Sequence, residues 1–133
     1  MRRPVLMVVA AVIEREGRIL IGQRKKGDRH ALKWEFPGGK VEQFETPREA
    51  LVRELREELM IEASIGPEMI RYEFSYARRA PILLIFHRVT QFQGEPVGAE
   101  FEQIRWESPQ HLQRYDFLEG DYDFIRLLAR GEV

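Results

Sequence analysis

One strong helix signal stands in the middle of a chain that otherwise reads as strands. Thr46 can cap the helix, Pro47 suits its first turn, and Glu49 completes a capping box three residues after the cap. Leu51, Leu55 and Leu59 recur at i, i+4 and i+8, so one stripe of this helix must face a core. It is expected to run to about Leu59 or Met60. Residues 5–14 are apolar and rich in β-branched side chains, as in a strand buried on both faces. The expected fold class is therefore α+β, with helices layered against a sheet.

The remaining elements follow from local pattern. Residues 18–24 form a second strand, expected to pair with the first as a hairpin across Glu16-Gly17. Residues 25–30 are a charged loop, and residues 34–36 a short extended piece stopped by a turn at Pro37-Gly38-Gly39. Strands are expected at 70–76, 81–91 and 103–107, with Arg78 to Ala80 as a connection and 97–102 as a loop. A last helix should begin near Gly120 and end near Arg130.

The 133 residues suit one domain over 1–133. A net charge of −1 supplies no global basic field, so no stable nucleic-acid binding is expected. The first apolar run follows Arg2-Arg3-Pro4, which raises a signal peptide. The run is too short to span a bilayer, no small-residue cleavage site follows, and Glu14-Arg15-Glu16 comes next. Together with the absence of cysteine, this reads as a cytoplasmic protein without membrane contact. A monomer or a homodimer is expected.

The chemistry concentrates on the internal helix. Glu54, Glu57 and Glu58 lie at i, i+3 and i+4, within an arc of about 100° offset from the leucine stripe. Three carboxylates in reach of one another favour protonation or capture of a cation, and oxygen donors suit hard ions such as Mg²⁺ or Mn²⁺. A solvated acidic face is the plain alternative. The preceding Gly38-Gly39 shifts the balance, because a side-chain-free backbone can approach a ligand closely. A glycine turn facing a carboxylate helix makes a site for a metal-bridged phosphate chain.

The pattern Gly39-x5-Glu45-x7-Arg53-Glu54-Leu55-x-Glu57-Glu58-x-x-Ile61 resembles the Nudix box. Six glycine or charged positions match; at about 7% frequency each, chance yields that about once in ten million starts, so coincidence is set aside. The last glycine of the box is Met60 here, which is expected to change how the helix ends. Trp34 to Glu42 (WEFPGGKVE) and Gln91 to Glu100 (QFQGEPVGAE) look like the MutT-type nucleotide pyrophosphohydrolases in particular. The resemblance implies a Nudix fold, a mixed central sheet sandwiched between helices (α/β/α). It implies Mg²⁺-dependent hydrolysis, with Mn²⁺ as a possible substitute. The ions would be held by Glu54, Glu57, Glu58, Glu100 and a backbone carbonyl of Gly38 or Gly39. Arg53 would orient the glutamates, Glu45 would act behind it, and Glu54 or Glu100 would be the base. Attack by water at a β-phosphorus would give the nucleoside monophosphate and pyrophosphate.

Substrate-binding candidates are Arg24 and Lys40 for phosphate, and Glu35, Phe36 and Asp121 around the base. Each has a bland alternative: surface cations for Arg24 and Lys40, ordinary core for Phe36, a helix N-terminal acid for Asp121. His30, His87 and His111 show no ligand spacing and read as structural or surface residues. The leading substrate is an oxidised purine triphosphate of the 8-oxo-dGTP type, and the competing one is CTP, dCTP or a modified cytidine nucleotide. A non-catalytic nucleotide-binding module is a third class, disfavoured by the intact carboxylate set. The isomerase branch of the superfamily needs a cysteine that is absent, and an RNA 5′-end pyrophosphohydrolase lacks a basic groove in this composition.

Overall fold

The computed structural model describes residues 5–133; Arg2, Arg3 and Pro4, the flank of the first apolar run, lie outside them. The elements in chain order are β1 (Leu6–Arg15), β2 (Arg18–Gln23), β3 (Trp34–Glu35), β4 (Gly38–Lys40), α1 (Pro47–Leu59), β5 (Glu62–Ser64), β6 (Glu68–Phe74), β7 (Ile82–Val89), β8 (Gln91–Gln93), β9 (Gln103–Glu107) and α2 (Tyr122–Ala129). Short 3-10 turns at Pro109–Arg114 and Glu119–Asp121 precede α2.

Strand β1 is the axis of a mixed sheet. It runs parallel to β7 from Leu6↔Ile82 to Ile13↔Val89, and β6 continues that edge antiparallel to β7. On its other edge β1 changes partner, taking β4 at Val8 to Ala10 and β2 only at Glu14 and Arg15. The expected β1–β2 hairpin is thus two residue pairs long. The longer partner of β2 is β9, from Ile19↔Glu107 to Gln23↔Gln103, and β3 pairs antiparallel with β2 at Gly22 and Gln23. The glycine pair expected as a turn is strand β4: Gly39 faces Val9 and Gly38 faces Ala10 across the ladder. Gly38 has φ +152°, and a β-carbon there would stand 2.0 Å from the Val9 carbonyl oxygen, so only glycine lets the two backbones close. Strands β5 and β8 make a small separate sheet that local pattern did not signal, since their three-residue runs carry no clear period.

Alternation along β1 builds the layers. Val9, Ala11 and Ile13 pack in one cluster with Leu51, Leu55 and Leu59 of α1. Ala10 and Val12 pack in the other with Phe86, Phe124 and Leu128, so α2 covers the opposite face. This is the α/β/α arrangement of a Nudix fold. Each fully buried leucine of α1 contributes about 1.5–3 kcal/mol of transfer free energy. The helix begins as its sequence directs. Thr46 Oγ1 accepts from Glu49 N at 3.1 Å and Glu49 Oε1 accepts from Thr46 N at 2.9 Å, a cap worth about 1 kcal/mol. It ends on Met60, which takes the left-handed conformation (φ 59°, ψ 36°) and donates its N–H to Arg56 O at 3.1 Å. The expectation that Met60 alters the helix end is therefore corrected: the methionine adopts the geometry a glycine would take.

Candidate active site

The carboxylate face of α1 lies against β4. Gly38 N donates to Glu58 Oε1 at 2.9 Å. The Glu54 carboxyl sits over the Gly39 α-carbon, where a β-carbon would stand 2.6 Å from Glu54 Cδ. The two glycines are thus the cradle for two glutamates. Arg53 is clamped behind them. Its Nε and Nη2 donate to the two oxygens of Glu45 at 2.7 and 3.0 Å, Nη1 reaches Glu54 Oε1 at 2.9 Å, and Nη2 also donates to Lys40 O at 3.1 Å. This bidentate fork draws the Glu45 carboxyl down to about 2, with the Arg53 hydrogen bond the largest cause. Glu57 lies outermost, its Oε2 3.5 Å from Arg53 Nη1.

Glu100 comes from the loop between β8 and β9. Val97 N donates to Leu59 O at 2.9 Å and Ala99 N to Glu58 O at 3.1 Å, so the loop is stitched to the C-terminal end of α1. The charge of Glu100 reaches both Glu54 and Glu58. Burial, then the charges of Glu35, Glu54 and Glu100, pushes Glu58 well above the usual carboxylate range. Glu54 is raised by burial, with Arg53 opposing and Glu57 and Glu100 adding to the rise.

Among the described residues, no three His, Asp or Glu side chains stand close enough to hold a metal ion as they are. The donor set nevertheless fits one. Its side-chain donors are carboxylate oxygens, two of them seated on glycines that leave no side chain in the way, and their charges disfavour one another with Arg53 as the cation among them.

A cleft of about 540 Å³ opens from this end. It is lined by Gly38, Gly39, Lys40 and Glu58, by Tyr76, Leu118 and Asp121, and by Arg24, Glu35 and Phe36. Phe36 both lines the cleft and packs in the core against Phe86, Phe117 and Phe124. Lys40 is exposed at the cleft. Arg24 is held in the wall: Nη1 pairs with Glu35 Oε1 at 2.9 Å and Nε donates to Arg29 O at 2.7 Å. Burial raises the Glu35 carboxyl, with Arg24 opposing. Asp121 is buried, no described residue hydrogen-bonds its carboxyl, and burial followed by the charge of Glu35 pushes it well above its usual range.

Among the charged and aromatic residues of the cleft, Arg29, His30, Tyr76 and Arg79 were not site candidates from the sequence. His30, read there as structural or surface, is exposed, and it lines the cleft with its ring 5.0 Å from that of Tyr76. Burial and then the charges of Arg24, Arg29 and Arg79 lower its pKa. The only local signal was the charged loop around it. His87 is buried with Nδ1 2.9 Å from Gly66 O, and His111 pairs with Glu107 at 3.0 Å; both are structural.

The family model described as NUDIX domain matches residues 2–128. The chain belongs to the Nudix family. It is 42% identical over 118 residues to the CTP pyrophosphohydrolase of Escherichia coli K12, covering 89% of this chain and 87% of that protein. It is 37% identical to the 8-oxo-dGTP diphosphatase of Haemophilus influenzae, covering 96% and 94% of the two chains. The solution structure of the E. coli ORF135 protein superposes with a TM-score of 0.82 at 40% identity, covering 92% of this chain and 86% of that one. The chain is thus an enzyme of the class that hydrolyses phosphoric anhydride bonds, and Nudix hydrolases generally use a divalent metal. No described helix is long and apolar enough to cross a membrane.

Proposed function

We propose that this Nudix hydrolase converts a (deoxy)nucleoside triphosphate to its monophosphate and pyrophosphate, and that its substrates are oxidised guanine nucleotides of the 8-oxo-dGTP type. Glu54, Glu57, Glu58, Glu100 and a carbonyl of Gly38 or Gly39 would hold Mg²⁺, or Mn²⁺ in its place. Bound there, the ion supplies neutralisation of the polyphosphate charge and a lower pKa for the attacking water. Arg53, fixed by Glu45, keeps Glu54 in place. Glu54 or Glu100 takes the proton of the water that adds to the β-phosphorus, and the α–β bridging oxygen leaves with the monophosphate. Lys40 and Arg24, which both line the cleft, would meet phosphate. The role is cleansing of the nucleotide pool in the cytoplasm.

The observation that carries the base assignment is Asp121, buried in the cleft wall and raised towards its neutral form. A neutral carboxyl sets an O–H donor beside a C=O acceptor. 8-Oxoguanine matches it with O6 as acceptor and N7–H as donor, whereas undamaged guanine presents acceptors at both positions. An acceptor left facing an acceptor costs about 1–3 kcal/mol, roughly 5- to 150-fold in kcat/KM. Cytosine, with its N4 amino donor beside the N3 acceptor, meets the same carboxyl. The 42% identity to a protein named CTP pyrophosphohydrolase favours that second reading. The test is Mg²⁺-dependent pyrophosphate release from 8-oxo-dGTP, dGTP, CTP and dCTP. A kcat/KM at least about tenfold higher on 8-oxo-dGTP than on dGTP is expected. The highest value on CTP or dCTP would transfer the assignment to cytidine nucleotides, and equal values on all four would refute both.

A further inference from the structure

Asp121 reaches the cleft from a short 3-10 turn, Glu119–Asp121, with no side-chain cap bond to anchor it. Its place is set by the residue before it. Tyr72 Oη donates to Gly120 O at 2.5 Å, and Gly120 N donates to Tyr76 Oη at 3.1 Å. Both polar groups of Gly120 are therefore held by phenols, one from β6 and one from just past its end. The fit leaves no slack. A β-carbon on Gly120 would stand 2.8 Å from Tyr76 Oη and 3.3 Å from side-chain carbons of Leu84 and Phe74. The other end of the turn is tied as well: Leu118 N donates to Trp34 O at 2.9 Å and Asp121 N to Leu118 O at 3.0 Å.

The tyrosines are built to stay put. Tyr72 stacks on Phe86 with ring centroids 5.8 Å apart, and Tyr76 meets Phe74 edge-on at 4.8 Å. Burial pushes the Tyr76 hydroxyl up to about 12 and the Tyr72 hydroxyl up further, so both remain protonated. Tyr76 also lines the cleft and packs on His30 from the loop after β2. It thus touches both the support of Asp121 and the loop that borders the cleft.

The geometry points to Tyr72 and Tyr76 as positioning residues for base selectivity: they grip the Gly120 peptide from both sides and so fix where Asp121 meets the base. This rests on the reading of Asp121 as the group that recognises the base. Without the grip the turn can shift while its carboxyl stays in the cleft, and the match between donor and acceptor is lost before catalysis is.

The test uses Tyr72→Phe and Tyr76→Phe, which keep the rings and remove one hydroxyl each. The wild-type protein is first measured on 8-oxo-dGTP, dGTP, CTP and dCTP. Equal kcat/KM on all four would sink the reading of Asp121, whatever the tyrosines do. Given a wild-type preference, each variant is expected to cut the ratio of kcat/KM between the best and worst nucleotide by about tenfold. The loss should appear in KM for the best nucleotide, with kcat within about twofold of wild type. A variant that melts lower but keeps the wild-type ratio would overturn the inference, leaving the tyrosines as packing alone. A loss of kcat spread evenly over all four nucleotides would overturn it too. Should Tyr72→Phe fail to fold, Tyr76→Phe at the cleft wall decides the same question.

Discussion

Position 60 should invert the usual order of alanine and glycine in a helix. Met60 closes α1 with φ 59° and ψ 36° and is 65% exposed. A left-handed conformation costs an L-residue about 1–2 kcal/mol, while glycine forfeits about 0.5–1 kcal/mol more chain entropy on folding. Glycine should therefore exceed alanine at this site by about 0.5–1 kcal/mol. Comparing Met60→Gly with Met60→Ala removes the methionine side chain from both sides of the comparison, so its partial burial drops out. Arg56, one turn earlier and in right-handed helix, is the control: there Arg56→Ala should exceed Arg56→Gly by about 1 kcal/mol. For a chain of this length each kcal/mol moves the melting midpoint by about 3–5 °C, within reach of calorimetry or circular dichroism. Urea midpoints give the same comparison isothermally. If Met60→Ala proved as stable as Met60→Gly, position 60 would carry no left-handed strain and the reasoning would fail.

Two further outcomes are expected. Glu58→Gln keeps an acceptor for Gly38 N–H but loses the anionic ligand, so kcat should fall by about two to four orders of magnitude with the melting midpoint nearly unchanged; near-normal turnover would refute its role. Glu45→Gln removes the fork that holds Arg53. The Glu45 carboxyl is depressed from 4.5 to about 2 in the folded chain, so the stability it adds is full above its unfolded value and is lost as pH falls towards about 2. Wild type should therefore lead Glu45→Gln at neutral pH, and the lead should shrink through that acid window in denaturant titrations; a constant lead would refute it.

The capping box, the leucine stripe and the doubly buried first strand are local patterns, and the structure realises each at its own residues. The spacing of Glu54, Glu57 and Glu58 on one helix face is likewise set within six residues of chain. The pairings are another matter. Two adjacent strands with a glycine between them look like a hairpin, yet the interior of the sheet took β2 away to β9, because burying β1 beside β7 and β4 leaves only its end free. His30 looked like one more residue of a charged loop, and nothing nearby in sequence told that Tyr76 would lie under it.

By itself, then, the sequence determined the proposed catalytic half of the site: a capped helix whose acidic face and glycine partner lie within some twenty residues of one another. The tertiary structure decided the proposed recognition half. Asp121 lines the cleft together with Glu35 only because the segment before it is strapped to β3 through Trp34 and held by Tyr72 and Tyr76. Glu100 joins the carboxylates only because its loop is sewn to the end of α1. Such contacts span tens of residues. Helical period and capping chemistry act over a turn or two, so they specify the helix that carries the chemistry and are silent about the distant residues that the packed sheet brings to meet it.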